Sequence, residues 1–261
     1  MATYHAFMNS KFMEDHIFHV DRILISKEYK RLISSGFLHA NWFHFGFNMI
    51  ALLSFSMSIE VLFGYGKFLL LYFAALIGGN LLSLYIHRNQ GDYRALGASG
   101  AISGVIMASI VMFPNSEISF ILLPFSMKNW VFGLLFILIS IFGIKSNAGI
   151  IGHDAHFGGA IIGVILAVIM MPVIITLNWW IILLILIPSF LFIILIIRNP
   201  AVLMVDHYWG ETIRSVKQRP VHKQKSNEKT LNELLDKINI EGIDSLSKSE
   251  RETLDRLKEG L

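Results

Sequence analysis

A chain of 261 residues that is 54% hydrophobic and only 16% charged has too little polar side chain to cover a water-soluble fold of its size, so the bilayer is its expected solvent. The net charge of +3 provides no basic surface for nucleic acid, which is excluded as a partner. The absence of cysteine excludes disulfides and thiolate chemistry.

Residues 1–38 carry acidic and basic side chains and lack the apolar run and small-residue cleavage site of a signal peptide. They are expected to stay outside the membrane without being removed. Charge-poor apolar runs follow near Trp42–Leu62, Phe68–Ile86, Leu96–Phe113, Trp130–Ile144, Ala155–Val173 and Asn178–Ile197. Each is predicted as a transmembrane helix, because about 20 apolar residues are needed to cross the hydrocarbon core. Only helices or closed barrels satisfy their backbone groups in lipid, and none of these runs shows the alternation of a barrel strand. The fold class is therefore all-α, a polytopic membrane bundle occupying residues 39–197. Ile118–Phe125 is apolar but too short to cross, and with Pro114 and Pro124 close by it reads as a loop or an interfacial segment. Residues 198–261 form a charged tail. In it Leu231, Leu234, Leu235 and Ile238 share one helical face, and Ser247 with Glu250 makes a capping box, which predicts a small helical hairpin.

Polar residues inside the apolar runs carry the functional signal, because such side chains are expensive in lipid and face the bundle interior. They are His44 and Asn48 in the first run, Glu60 at its end, Asn80 in the second, Ser99 and Ser103 in the third and His156 in the fifth. His44 and Asn48 are four apart and share a helix face. Ser99 lies in Gly97-Ala98-Ser99-Gly100, where small neighbours let a substrate backbone approach the hydroxyl and leave the local amide hydrogens open. Gly100 with Gly104, and Gly159 with Gly163, have the spacing that brings membrane helices into close contact. If those two faces meet, Ser99 and His156 share one depth. A serine hydroxyl needs a base to become a nucleophile, and a neutral imidazole suits that task. The oxyanion formed by attack on an amide needs donors, which His44, Asn48 and the Ser99 N–H are placed to supply. Asp154 lies on a different helix face from His156, so a dyad is expected rather than a triad.

The stretch from Arg31 through His39-Ala-Asn-Trp-Phe-His44-Phe-Gly-Phe-Asn48, the Gly97-Ala98-Ser99-Gly100 motif and Ala155-His156-Phe-Gly158-Gly159 with Gly163 resemble, in order, the three motifs of the rhomboid family of intramembrane serine proteases. The resemblance covers about residues 29–163. It implies Ser99 as nucleophile, His156 as general base and then acid, His44 and Asn48 as oxyanion donors beside Gly97, and a structural role for His39. It also implies cleavage of transmembrane protein substrates near a membrane surface, without cofactor or metal, in what is expected to be a bacterial inner (plasma) membrane. Two departures stand out. Family members usually carry a further span before the first motif, where Met1–Lys30 here is too charged to cross. Position 103, often aromatic in the family and packed on the histidine ring, is Ser103.

Two other readings use the same residues. One is an inactive rhomboid-like protein that binds transmembrane helices. The other is a metal-dependent membrane hydrolase built on His39, His44, His153 and His156, against which stands the lack of an HExxH pattern. No partner for the tail is named by its sequence.

Overall fold

The computed structural model describes residues 1–119, 126–146 and 152–199, together with residues 203, 234, 237, 238, 245 and 247. The chain divides into two compact units, residues 1–203 and 204–261. The predicted tail hairpin lies largely outside the described residues.

The first unit is a helical membrane bundle. Its extramembrane start folds into short pieces: α1 (Ala2–Met8), α2 (Ser10–His16), β1 (Phe18–His19), α3 (Val20–Leu24), α4 (Arg31–Ser34) and a 3₁₀ turn at Ser35–Phe37. None of these approaches the length of a span. The buried Arg31 guanidinium ties them together by donating to Glu28 Oε2 at 2.7 Å and to the carbonyls of Glu14 and Ile17 at 2.6 and 2.8 Å. That guanidinium also holds the Glu28 carboxyl below its ordinary pKa.

α5 (Trp42–Ile86) is a run of 45 residues broken at Gly64, whose φ of +73° and ψ of 167° are open to glycine and costly for other residues. The chain reverses there. His44, in the first half, lies by Gly97 and Ser99 at the start of α6 (Ser99–Met112), and Ser58 reaches Ser109 near its end. The second half returns, with Ala75 against Gly104, Gly79 against Ala155, and Ser83 against Asp154. Thus α5 supplies the first two predicted spans. β2 (Arg94–Ala95) precedes α6 and pairs antiparallel with β1, Phe18 opposite Ala95.

α6 is the centre of the bundle. Every residue from Gly100 to Met112 is buried. At 14 residues it is about 21 Å long, short of the roughly 30 Å hydrocarbon core. Its last carbonyls are capped from two directions: Asn178 Nδ2 donates to Val111 and Met112 at 2.9 and 3.1 Å, and Asn129 Nδ2 donates to Phe113 at 2.8 Å. The remaining spans are α7 (Asn129–Ser146), α8 (His153–Met170) and, after the short α9 (Ile174–Leu177), α10 (Trp179–Arg198). Helices α5, α7, α8 and α10 are long and apolar enough to cross a membrane. The segment Ile118–Phe125, read as a loop or an interfacial segment, starts within β3 (Glu117–Ser119), which pairs antiparallel with β4 (Ser126–Lys128); residues 120–125 lie outside the described residues.

The two small-residue faces do meet. A Cβ placed on Gly159 would strike the Gly100 carbonyl, and one on Gly163 would strike that of Gly104. α6 and α8 are thus in backbone contact. Asn80 donates to the Leu32 carbonyl at 2.8 Å and to Ser35 Oγ at 3.3 Å, holding α4 and the turn after it against the second half of α5.

Candidate active site

Backbone contact between α6 and α8 brings together two side chains 57 residues apart in sequence. Ser99 Oγ lies 2.6 Å from His156 Nε2, a short, partly buried hydrogen bond. The hydroxyl donates to the ring nitrogen, which puts the imidazole proton on Nδ1. Ser99 is the first residue of α6, and the helical ladder opens with Ile102 N–H donating to Ala98 O at 3.0 Å. The N–H groups of Ser99, Gly100 and Ala101 precede that ladder, at the end of the helix that favours negative charge.

The approach to Ser99 is shaped by Gly97, whose φ is +129° and whose N–H donates to Ser35 O at 3.0 Å. A Cβ there would stand 3.0 and 3.1 Å from His44 Cε1 and Nε2 and 3.5 Å from Ser99 Oγ, so the His44 ring and the serine hydroxyl flank one small space. Ala40 N–H points at His44 Nδ1 across a long 3.4 Å, leaving Nε2–H as the donor that faces this space. Asn48 is buried one turn further along α5 and donates to the His44 carbonyl at 2.9 Å, with a second amide hydrogen remaining on Nδ2. The five residues picked from the sequence therefore divide into a bonded pair, Ser99 and His156, a close flank of His44 and Gly97, and Asn48 behind His44.

His39 is buried at 2% exposure, and its Nδ1 lies 2.9 Å from Thr3 Oγ1, which itself donates to Phe37 O at 2.9 Å. Thr3 has one hydroxyl hydrogen, so His39 Nδ1–H is the donor of that contact. Burial, and the His44 ring 5.1 Å away, hold the His39 pKa down at about 4, and the side chain is neutral at physiological pH. It fixes α1 to the loop before His44. Ser103, where an aromatic ring was expected by resemblance, donates to the Ser99 carbonyl at 2.6 Å. The rings nearest His156 come from elsewhere: Phe136 of α7 at 6.3 Å between centroids and His153 at 6.2 Å. The approach of Phe136 was not legible, because contact between α7 and α8 carries no local signal, whereas His153 lies three residues before His156 on the same helix. Among the described residues no three His, Asp or Glu side chains converge as metal ligands would.

A hydroxyl bonded to an imidazole, with unpaired helix N–H groups and a second imidazole donor beside it, is chemically equipped to attack a carbonyl and hold the oxyanion that results. The rhomboid domain matches residues 26–173, and a family of unknown function matches residues 215–259. Rhomboid protein 1, mitochondrial, of Saccharomyces cerevisiae is 33% identical over 150 residues, covering 55% of this chain and 43% of that protein. The presenilin-associated rhomboid-like protein, mitochondrial, of Homo sapiens is 33% identical over 139 residues, 51% of this chain and 36% of its own. Rhomboid protease GluP of Bacillus subtilis is 30% identical over 141 residues, 54% and 26% of the two chains. The chain thus matches less than half the length of each of these relatives.

Proposed function

The chain belongs to the rhomboid family, and from that membership we propose that it is an intramembrane serine endopeptidase acting through a Ser99/His156 dyad. The observation that carries this reading is the 2.6 Å hydrogen bond between Ser99 Oγ and His156 Nε2 at the start of the central helix. Ser99 Oγ attacks the carbonyl carbon of a substrate peptide bond while His156 Nε2 takes its proton. The oxyanion is held by the Ser99 N–H, His44 Nε2–H and the Asn48 amide, with Gly97 leaving room for the substrate backbone. His156 then gives the proton to the departing amine, and a water molecule, deprotonated by the same nitrogen, hydrolyses the acyl ester.

Substrates of this reaction are membrane proteins whose transmembrane segments reach the mouth of the bundle. The proposed location, a bacterial inner membrane, draws its support from the Bacillus subtilis relative; the yeast and human relatives carry a mitochondrial designation. An inactive helix-binding protein would need none of the bonded geometry at Ser99.

The test is cleavage of a model transmembrane substrate by the purified full chain in liposomes, with a serine-directed fluorophosphonate probe as a second readout. Cleavage by the unaltered chain, none by Ser99→Ala, and probe attached at Ser99 are expected. Equal cleavage by both proteins excludes Ser99 as the nucleophile. Asn48→Ala, as the loss of one oxyanion donor, is expected to lower kcat by about 10²-fold to 10³-fold with little change in KM, read from initial rates across substrate concentration. An unchanged kcat would remove Asn48 from the oxyanion site.

A further inference from the structure

On the side of α8 away from Ser99, its first turn carries a second buried polar cluster. Asp154 is only 4% exposed and Ser83 is fully enclosed. Ser83 Oγ donates to Asp154 Oδ2. His87 Nε2 lies 3.2 Å from the same oxygen and must donate to it, because a carboxylate only accepts. The Tyr93 hydroxyl is 3.5 and 3.4 Å from the two carboxylate oxygens. The His87 ring lies flat on Tyr93, centroids 3.5 Å apart and planes 6° from parallel, and its Nδ1 is 2.6 Å from Gln90 Oε1. Burial first, and then the neighbouring carboxylate, push the Tyr93 phenol above its ordinary pKa, so it keeps its proton as a donor. One side chain of α8 is thereby gripped by the end of α5 and by the segment leading to β2.

We propose that Asp154 is a positioning residue for His156, fixing the rotation of α8 about its own axis and through it the bond from His156 to Ser99. The inference rests on the dyad reading above. Residues two apart on a helix are separated by about 200°, so Asp154 anchors the back of the turn whose front carries the base. The front and flanks of this turn meet their neighbours through glycine: Gly79 lies against Ala155, and Gly100 against Ala155 and Gly159. Such faces allow close approach but offer few side chains to resist turning. Directional bonds to Asp154 supply that resistance. A ring standing about 5–6 Å from the helix axis moves by about 1 Å for a rotation of about 10°. A displacement of that size costs about 10²-fold in rate. A buried carboxyl group is costly unless donors satisfy it, and here donors from three residues converge on one.

The experiment uses the full chain in liposomes and measures kcat, KM, the rate of fluorophosphonate labelling at Ser99 and thermal stability. Asp154→Ala is expected to lower kcat and the labelling rate each by about 10²-fold, with KM unchanged. Asp154→Asn keeps one carbonyl oxygen, whose two lone pairs can accept from Ser83 and His87, and is expected to recover about tenfold of that loss. A folded Asp154→Ala with the kcat of the unaltered chain, a rise in KM alone, or no recovery in Asp154→Asn overturns the proposal. If Asp154→Ala does not fold, Ser83→Ala decides: a drop in kcat of about tenfold at constant KM supports the anchor, and an unchanged kcat overturns it. Ser99→Ala run in parallel separates the two levels. Full cleavage by that variant defeats the dyad and this inference together, whereas an inert Ser99→Ala beside an active Asp154→Ala defeats the anchor alone.

Discussion

His156→Ala should lose activity as completely as Ser99→Ala, and the double variant should lose nothing more. In the proposed mechanism the two side chains act as one proton-transfer unit through the 2.6 Å bond, so a hydroxyl without its base and a base without its hydroxyl would be equally idle. Each single change is expected to lower kcat/KM by about 10³-fold or more, with any residue of rate owed to the oxyanion donors, which all these variants retain. The measurement is kcat/KM for one transmembrane substrate with the unaltered chain, both singles and the double. If the losses multiply in the double variant, the side chains act independently and the dyad is wrong.

Gly159→Val is expected to disable the protein by a different route. A Cβ at this position runs into the Gly100 carbonyl, a backbone atom that no rotamer change can move aside. Relief requires α6 and α8 to separate, and these are the helices that carry Ser99 and His156. Overpacking of this kind costs about 3 kcal/mol, and an added separation of about 1 Å in the dyad costs about 10²-fold in rate. Thermal unfolding and substrate cleavage should therefore fall together. The control is Gly46→Ala on α5, where a new Cβ meets nothing within 4 Å. There the exchange is expected to leave cleavage intact and to favour the helix by up to about 1 kcal/mol. Similar losses at both glycines would show that close contact of α6 and α8 is not what Gly159 provides.

The spans were readable because hydrocarbon demands long apolar runs, and the pairing of α6 with α8 was readable because lipid rewards small residues at helix contacts. The serine and histidine stood out for the same reason, as polar groups in a medium that penalises them. Other features left no such mark. The run Leu96–Phe113 reads as one span, yet its helix begins only at Ser99, since Gly97 adopts a positive φ and bonds to Ser35. Hydropathy does not distinguish helical backbone from a strand-like entry of the same composition. β3 pairs with β4 over three residues each, too few for alternation to register. The surroundings of Asp154 were hidden by distance along the chain: the sequence placed its carboxyl away from His156, but Ser83 and Tyr93 lie 71 and 61 residues before it. The small size of Ser103 was visible, whereas the approach of Phe136 to His156 depends on how α7 packs.

The central helix is walled in by protein from Gly100 to Met112, which leaves a bilayer little surface by which to tilt or stretch it. The altitude of Ser99 is fixed by its protein neighbours, while any guest segment floats at a level chosen by the surrounding lipid. Thickening or thinning the membrane should thus slide the guest past a stationary hydroxyl, by about one residue of helix for every 1.5 Å. Which bond of a guest chain meets Ser99 becomes a property of the lipid as much as of the protein.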